Sequence, residues 1–179
     1  LINRLGFNNH GSDIIAKRIL KNNPNGTLGI NIGPNKDSQN KTEDFMFCLL
    51  KLHAAADYIT INISSPNTEG LRDFHEKNLM IDLFENLNKL KKKNKIKKKL
   101  FIKLSPDIRD SEISGILELI FKFKIDGIII SNTSNENREN LIDTNKKEQG
   151  GLSGKPIRKI STEMIKKFYK EVKKKIPII

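Results

Sequence analysis

The sequence predicts an α/β protein built on a parallel sheet, and three observations carry that prediction. Short apolar runs alternate with longer amphipathic stretches. Each amphipathic stretch is long enough to form a helix and return the chain for another parallel strand. The 179 residues are 36 % hydrophobic, which is material for one packed core and too little length for several ordinary domains.

The elements follow in order. Leu28 to Ile32 is the first strand. Thr42 can cap a helix to about Ala56, with Glu43 and Asp44 in its first turn, where acids suit the dipole. Tyr58 to Ile63 is the second strand, followed by a helix from about Glu76 to Lys93. Leu100 to Leu104 is the third strand, and Ser111 can cap a helix to about Lys124. Gly127 to Ser131 is the fourth. A polar loop then leads to Gly150-Gly151, a helix from about Ile157 to Lys174, and a fifth strand beginning at Ile176.

Composition excludes several classes. Apolar runs recur along the whole chain, which excludes a disordered segment, and none approaches the ~20 apolar residues of a membrane span. The lone cysteine, Cys48, excludes an intrachain disulfide framework and a zinc cluster. The net charge is +12, but Lys outnumbers Arg 27 to 6, Ile outnumbers Val 27 to 1, and there are 20 Asn. These three residues share A- and T-rich codons, so the charge reads as base composition before it reads as an anionic partner. The run Lys89 to Lys99 has no interleaved aromatics and reads as a solvated helix end and loop, with no nucleic acid expected.

Two architectures fit: an open doubly wound sheet, or part of a (β/α)8 barrel. No G-x-G-x-x-G follows any strand, which weakens the first. A whole barrel needs ~250 residues. The chain starts at Leu1 and ends in Lys175-Ile176-Pro177-Ile178-Ile179, which reads as a strand cut in its middle. The expectation is therefore one partial barrel domain over 1–179, truncated at both ends, with about strands 3 to 7.

Polar residues gather where the strands end. Asn31 is followed by Gly33-Pro34, and the second strand runs into Asn62-Ile63-Ser64-Ser65-Pro66-Asn67-Thr68. Lys103 sits inside an apolar run before Ser105-Pro106-Asp107, and the fourth strand runs into Ser131-Asn132-Thr133. In a barrel these ends share the face that hosts chemistry. The set holds amides, hydroxyls and one lysine, with no carboxylate pair and no His/Cys ligand set. That argues against metal-assisted or glycoside hydrolysis and suits a planar polar ligand. Each residue also has an ordinary use, Asn and Ser as turn and cap residues and Lys103 as a surface-facing strand position. Gly150 to Gly154 reads as a flexible loop or as backbone N–H groups placed for a phosphate.

At these residues a resemblance becomes specific. Asn3-Arg4-Leu5-Gly6-Phe7-Asn8-Asn9, Gly29 to Gly33, Asn62 to Asn67 with Gly70-Leu71-Arg72, Lys103 with Pro106-Asp107, Asp126 to Thr133, and Gly150 to Pro156 resemble dihydroorotate dehydrogenase in family order over the whole chain. The resemblance implies an FMN-dependent (β/α)8 barrel that oxidises dihydroorotate to orotate in pyrimidine synthesis. Soluble class 1 members carry a cysteine base and quinone-using class 2 members a serine. Ser65 stands at that position, so class 2 is implied. Cys48, between Phe47 and Leu49 on a predicted helix, reads as core rather than nucleophile.

The resemblance also assigns roles. Ser65 removes the C5 proton while C6 delivers hydride to the flavin, and Thr68, three residues on, is a candidate for the proton path. Asn3, Asn62, Asn67, Asn132 and Thr133 hold the pyrimidine and its carboxylate, and Arg4, Leu5, Gly6 and Phe7 wall the pocket. Asn31, Asn62, Lys103, Ser131 and Gly154 contact FMN, with Lys103 stabilising negative charge on the reduced ring. Ser131 departs from the threonine common in the family; the hydroxyl survives and a methyl is lost. No metal is expected. The class implies a peripheral membrane protein, on the cytoplasmic side of a bacterial membrane or at a mitochondrial inner membrane, attached through a segment absent here. The family's first strands carry flavin contacts and a substrate lysine, and its last strands hold much of the phosphate site. The isolated 179 residues are therefore expected to be inactive and to bind FMN poorly. Two alternatives stand beside this: another flavin barrel such as a tRNA dihydrouridine synthase, which uses a cysteine not found at the matching position, and a non-catalytic basic RNA-binding remnant.

Overall fold

Isoleucine-rich runs become the strands, because β-branched side chains pack well on a pleated, buried surface. The computed structural model describes residues 1–22, 24–136 and 138–179. In chain order the elements are β1 (Ile2–Asn3), α1 (Ser12–Asn22), β2 (Gly29–Ile32), α2 (Lys41–Leu52), β3 (Tyr58–Asn62), α3 (Lys77–Lys93), β4 (Lys99–Leu104), α4 (Asp110–Lys122), β5 (Gly127–Ile130), β6 (Gly151–Leu152) and α5 (Arg158–Val172).

Strands β2 to β5 form one sheet in sequential order, every neighbour parallel. The run at 176–179 continues it beside β5: Ile128 N donates to the Pro177 carbonyl (3.0 Å) and Ile179 N to the Ile128 carbonyl (2.9 Å). This order separates the two predicted architectures. A doubly wound sheet reverses its strand order at a switch point, whereas a barrel arc adds strands on one side only. The chain is an arc of a (β/α)8 barrel.

Register assigns each strand residue to a face. Asn31, Thr60, Phe101 and Gly127 form one cross-strand row, and Asn62, Lys103 and Ile129 form the next. These rows face the barrel interior. The alternate residues, among them Ile30, Ile59, Ile61, Ile102 and Ile128, face the helices and are buried with Phe45, Leu49, Met80, Leu83, Phe84, Ile116, Ile120 and Phe168 in one core. Each such side chain contributes about 1.5–3 kcal/mol over an exposed position.

Two glycines admit two rings to the interior face. A Cβ on Gly29 would lie 2.1 Å from the Tyr58 ring, and one on Gly127 would lie 1.8 Å from the Phe101 ring. The rings meet edge to face, centroids 4.9 Å apart at 85°. They fill the space below the Asn62–Lys103 row.

Several boundaries differ from the sequence reading. Asn40 caps α2, its Oδ1 accepting from Glu43 N (3.2 Å), while the Thr42 hydroxyl goes to Asp82 (3.3 Å). The helix ends at Leu52 and a single 3-10 turn, His53–Ala55, completes the connection. Helix α4 starts one residue before Ser111, and Glu112 turns its carboxylate back to Arg109 N (2.8 Å). Helix α1 was not anticipated. It buries no residue fully and is tied to α2 by an Asp13–Lys51 ion pair. The Gly150 to Gly154 segment is not a free loop, since Gly151–Leu152 pairs antiparallel with Ile2–Asn3.

Candidate active site

The strand ends expected to carry chemistry lie side by side. Asn62, the last residue of β3, and Lys103 on β4 are direct register partners on the interior face. The loops that follow β3 and β5 carry Ser64, Ser65, Asn67, Asn132 and Thr133.

A chain of hydrogen bonds joins those loops. Ser64 N and Oγ both donate to Asn62 Oδ1, at 3.1 and 2.6 Å. Asn132 Nδ2 donates to Ser64 Oγ (2.9 Å), and Thr133 N donates to Asn132 Oδ1 (2.8 Å). Ser65 is buried and its Oγ accepts from Asn67 N (3.3 Å). Thr68 is also buried; among the described residues its recorded bond is through its carbonyl, which accepts from Leu71 N (3.2 Å).

Arg72 and Asp107 underlie this layer. The guanidinium donates to the Ser64 carbonyl (3.1 Å), the Thr133 carbonyl (2.8 Å) and Asp107 Oδ2 (2.7 Å). Asp107 accepts in addition from Ser134 Oγ (2.5 Å) and Asn135 N (2.8 Å). One largely withdrawn ion pair thus holds the loops after β3, β4 and β5 together. Both residues stand in the motifs singled out in the sequence, but neither was given a role, because the pairing spans 35 residues and exists only once the strands are in register.

The N-terminal segment closes over the same end. Asn3 accepts from Asn67 Nδ2 and donates to the Gly151 carbonyl, both at 3.4 Å. Phe7 lies against Gly33, where a Cβ would fall 2.2 Å from the ring. Gly151 is as confined: a Cβ there would sit 1.9 Å from Thr133 Oγ1. Arg4 and Leu5 are not brought into the cluster. Arg4 pairs with Glu148 at the surface (3.0 Å), and Leu5 is exposed. Gly6 provides the turn between them and Phe7 with φ +64.

The residues expected to hold a cofactor fall into two groups. Lys103 is half-buried and has no hydrogen-bond or ion-pair partner among the described residues. Burial alone pulls its ammonium below the usual lysine range. Asn31 is exposed on the same face as Thr60, one row below Asn62 and Lys103. Ser131 bonds Ser161 Oγ (3.1 Å). Gly154, with φ +84, is exposed at the turn leading into α5, and a Cβ there would meet nothing within 4 Å.

Cys48 is half-buried on α2, and burial with the nearby Asp44 carboxylate raises its thiol to about 11, so it stays protonated at neutral pH. Among the described residues no group of three or more His, Cys, Asp or Glu side chains is placed to hold a metal ion. A cavity of about 540 Å³ lies beside the cluster, between Leu1 to Arg4 and the 141–149 loop, and shares only Asn3 with it. At the strand ends, Asn62 Nδ2 and Lys103 Nζ are donors on the interior face without partners among the described residues.

Comparison with known proteins agrees with this geometry. The family model for dihydroorotate dehydrogenase matches residues 1–179. A dihydroorotate dehydrogenase (quinone) of Haemophilus ducreyi is 42 % identical over 186 residues, covering 100 % of this chain and 55 % of that protein. One of Wigglesworthia glossinidia brevipalpis is 44 % identical, with the same coverage. Among solved structures, the DHODH of Eimeria tenella in complex with ferulenol superposes with a TM-score of 0.91 at 30 % identity, covering 99 % of this chain and 54 % of that one. The chain spans about half the length of the relatives it matches.

Proposed function

The chain belongs to the dihydroorotate dehydrogenase family, and from that premise we propose that it is the central part of an enzyme that oxidises dihydroorotate to orotate, with FMN as hydride acceptor and a quinone as final electron acceptor. The observation that carries this reading is the pair of donors without partners among the described residues, Asn62 Nδ2 and Lys103 Nζ, on one face at the strand end that leads into the loop of the buried Ser65. A half-buried ammonium without a partner costs stability, so its presence points to an anionic or electron-rich ligand.

The residues fit a flavin and a pyrimidine. Asn31, Asn62, Lys103, Ser131 and Gly154 would hold FMN, which when bound supplies the hydride acceptor. Lys103 would place positive charge where the reduced ring is negative, in a site partly withdrawn from water. Asn3, Asn62, Asn67, Asn132 and Thr133 would hold the pyrimidine through its carbonyl and carboxylate oxygens, with Phe7 as a wall. Ser65 would take the C5 proton. A free serine is a poor base, so the proton must pass on through a polar path, for which Thr68 is placed three residues away.

The quinone follows the names of the relatives, and a lipid-soluble acceptor supports a membrane-surface location for the whole protein. Among the described residues no helix is long and apolar enough to cross a membrane. Peripheral attachment to that membrane belongs to the same proposal.

The test uses the whole protein purified with its flavin. Dihydroorotate added without oxygen should bleach the flavin absorbance, a quinone should restore it, and Ser65→Ala should slow the bleaching at least a hundredfold. Bound flavin that dihydroorotate leaves oxidised overturns the substrate assignment.

A further inference from the structure

Arg138 opens the loop that returns to β6 at Gly150, and its guanidinium ties the two arms of that loop together. Nη1 donates to the Lys146 carbonyl (3.3 Å) and to the Glu148 carbonyl, and Nη2 donates to the Gly150 carbonyl. Among the described residues the other hydrogen bonds inside the loop are local turns. Leu141 N donates to the Arg138 carbonyl, Lys146 N to the Asp143 carbonyl, Asn145 N to Asp143 Oδ1 and Glu148 N to the Asn145 carbonyl. Such turns shape each arm without joining one to the other. The Arg4–Glu148 pair reaches the returning arm from outside, but both side chains are more than half exposed, and a pair of that kind contributes little.

The returning arm leads directly to Asn3. Gly150, with φ +130, lies so close to it that a Cβ would fall 2.3 Å from the Asn3 carbonyl oxygen. Gly151 then pairs with Asn3 across β6 and β1. That ladder is two residues long on each side, too short to hold itself. Its Leu152 end is anchored by backbone, with Leu152 N donating to the Ser134 carbonyl (2.7 Å) and Ser134 N to the Leu152 carbonyl (2.9 Å). Its Gly150 end is anchored by the Arg138 side chain. The Asn3 side chain adds two bonds of 3.4 Å, beyond the usual hydrogen-bond range.

We propose that Arg138 is a positioning residue: by gathering three carbonyls of the returning arm it fixes Gly150, and through Gly150 the Asn3 end of the β1–β6 pair, over the candidate site. This rests on the pyrimidine-binding role proposed for Asn3 and names the group that sets its place. A guanidinium suits the task, because its rigid fork fixes several acceptors relative to one another.

The test uses the whole flavin-loaded protein. Arg138→Met keeps the stem and removes the fork. Trypsin should then cut after Lys146 or Lys147 about tenfold faster, with the Lys89 to Lys99 run cut no faster than in wild type. KM for dihydroorotate should rise about tenfold while kcat stays within about twofold, the pattern of lost binding without lost chemistry. Flavin content should be unchanged. Arg138→Lys, which can serve some of the three carbonyls but not all in one plane, should recover part of both effects. Glu148→Gln, which breaks only the exposed pair, should leave both near wild type. Loop cutting at the wild-type rate in Arg138→Met overturns the tie. Faster loop cutting with an unchanged KM leaves Arg138 a purely structural residue and overturns its positioning role. Faster cutting along the whole chain marks loss of the fold, and Arg138→Lys then decides between the same two outcomes. Wild-type protein whose flavin ignores dihydroorotate overturns the proposed function and the role of Asn3 with it, while the trypsin comparison still reads the tie by itself.

Discussion

Asn62 and Lys103 are register partners on adjacent parallel strands, and each carries a donor that no other described residue takes up. Elsewhere in the cluster polar groups are satisfied locally: Ser64 by Asn62 and Asn132, Arg72 by three acceptors. The contrast is physical. The loops are held by internal bonds, and the strand row they surround is left open for a ligand.

Lys103 should therefore be costly in the absence of a ligand and necessary in its presence. Lys103→Met keeps the stem and removes the charge. It should stabilise flavin-free protein by about 1 kcal/mol, as functional-site residues often do when replaced by what the fold prefers. It should also weaken FMN binding at least tenfold. Thermal unfolding with and without added FMN reads both effects. A variant that is less stable without flavin would mean that the ammonium has an internal partner.

The Arg72–Asp107 pair should behave as a buried bridge whose single removal is worse than its replacement. The Asp107 side chain is 8 % exposed and Arg72 20 %. Asp107→Ala strands the guanidinium and also releases Ser134 and Asn135, at a cost of about 3–5 kcal/mol. Adding Arg72→Met should cost less than the sum of the two single changes, because the stranded charge is gone. Urea denaturation of the four proteins gives the coupling. Strict additivity would show that the two residues act independently.

Much of the frame was legible in the sequence because isoleucine-rich runs and amphipathic stretches each signal one structure. The parallel sheet, its strand ends and the Asn62–Lys103 neighbourhood follow from alternation alone. Helix α1 was not legible: Ile15, Ala16 and Ile19 only half-bury themselves, so its apolar stripe is narrow. Asn40 and Thr42 are both capping residues, and only the structure shows which oxygen reaches Glu43 N. The missing G-x-G-x-x-G and the family resemblance already chose the barrel over the doubly wound sheet, and the strand order agrees. Arg72, Asp107 and Ser64 needed the register, which places loops distant in sequence against one another.

The floor of the site depends on a small residue facing a large one. Gly127→Ala brings a methyl to within 1.8 Å of the Phe101 ring, and the overlap should cost about 1–3 kcal/mol. Phe101→Leu in the same chain should recover part of that loss by making room. Melting temperatures of the two single variants and the double variant decide it. A double variant as unstable as the sum of its parts would place the overlap elsewhere.

His75 makes the fold sensitive to acid. Its Nε2 is buried with no hydrogen-bond partner among the described residues, and its pKa falls to about 4. Burial is the main cause and the Arg72 guanidinium adds to it, while Glu112 and Asp107 pull the other way. The folded state therefore prefers the neutral ring. In the unfolded chain the ring takes a proton near pH 6.5, and in the folded chain only near 4. Stability is full above about pH 6.5 and declines as pH falls towards 4, by up to about 3 kcal/mol, since the unfolded state binds the proton first. His75→Gln cannot titrate, so it should flatten this part of the stability curve and leave the pH 8 value little changed. Denaturant midpoints at pH 8, 6 and 4.5 for both proteins are the measurement. Parallel curves would show that other groups carry the acid response. Because a protonated His75 would set a second cation against Arg72, the loops that Arg72 holds should loosen first. Amide exchange at Thr133 and Asn135 should accelerate at pH 5 before exchange within β3 and β4 does.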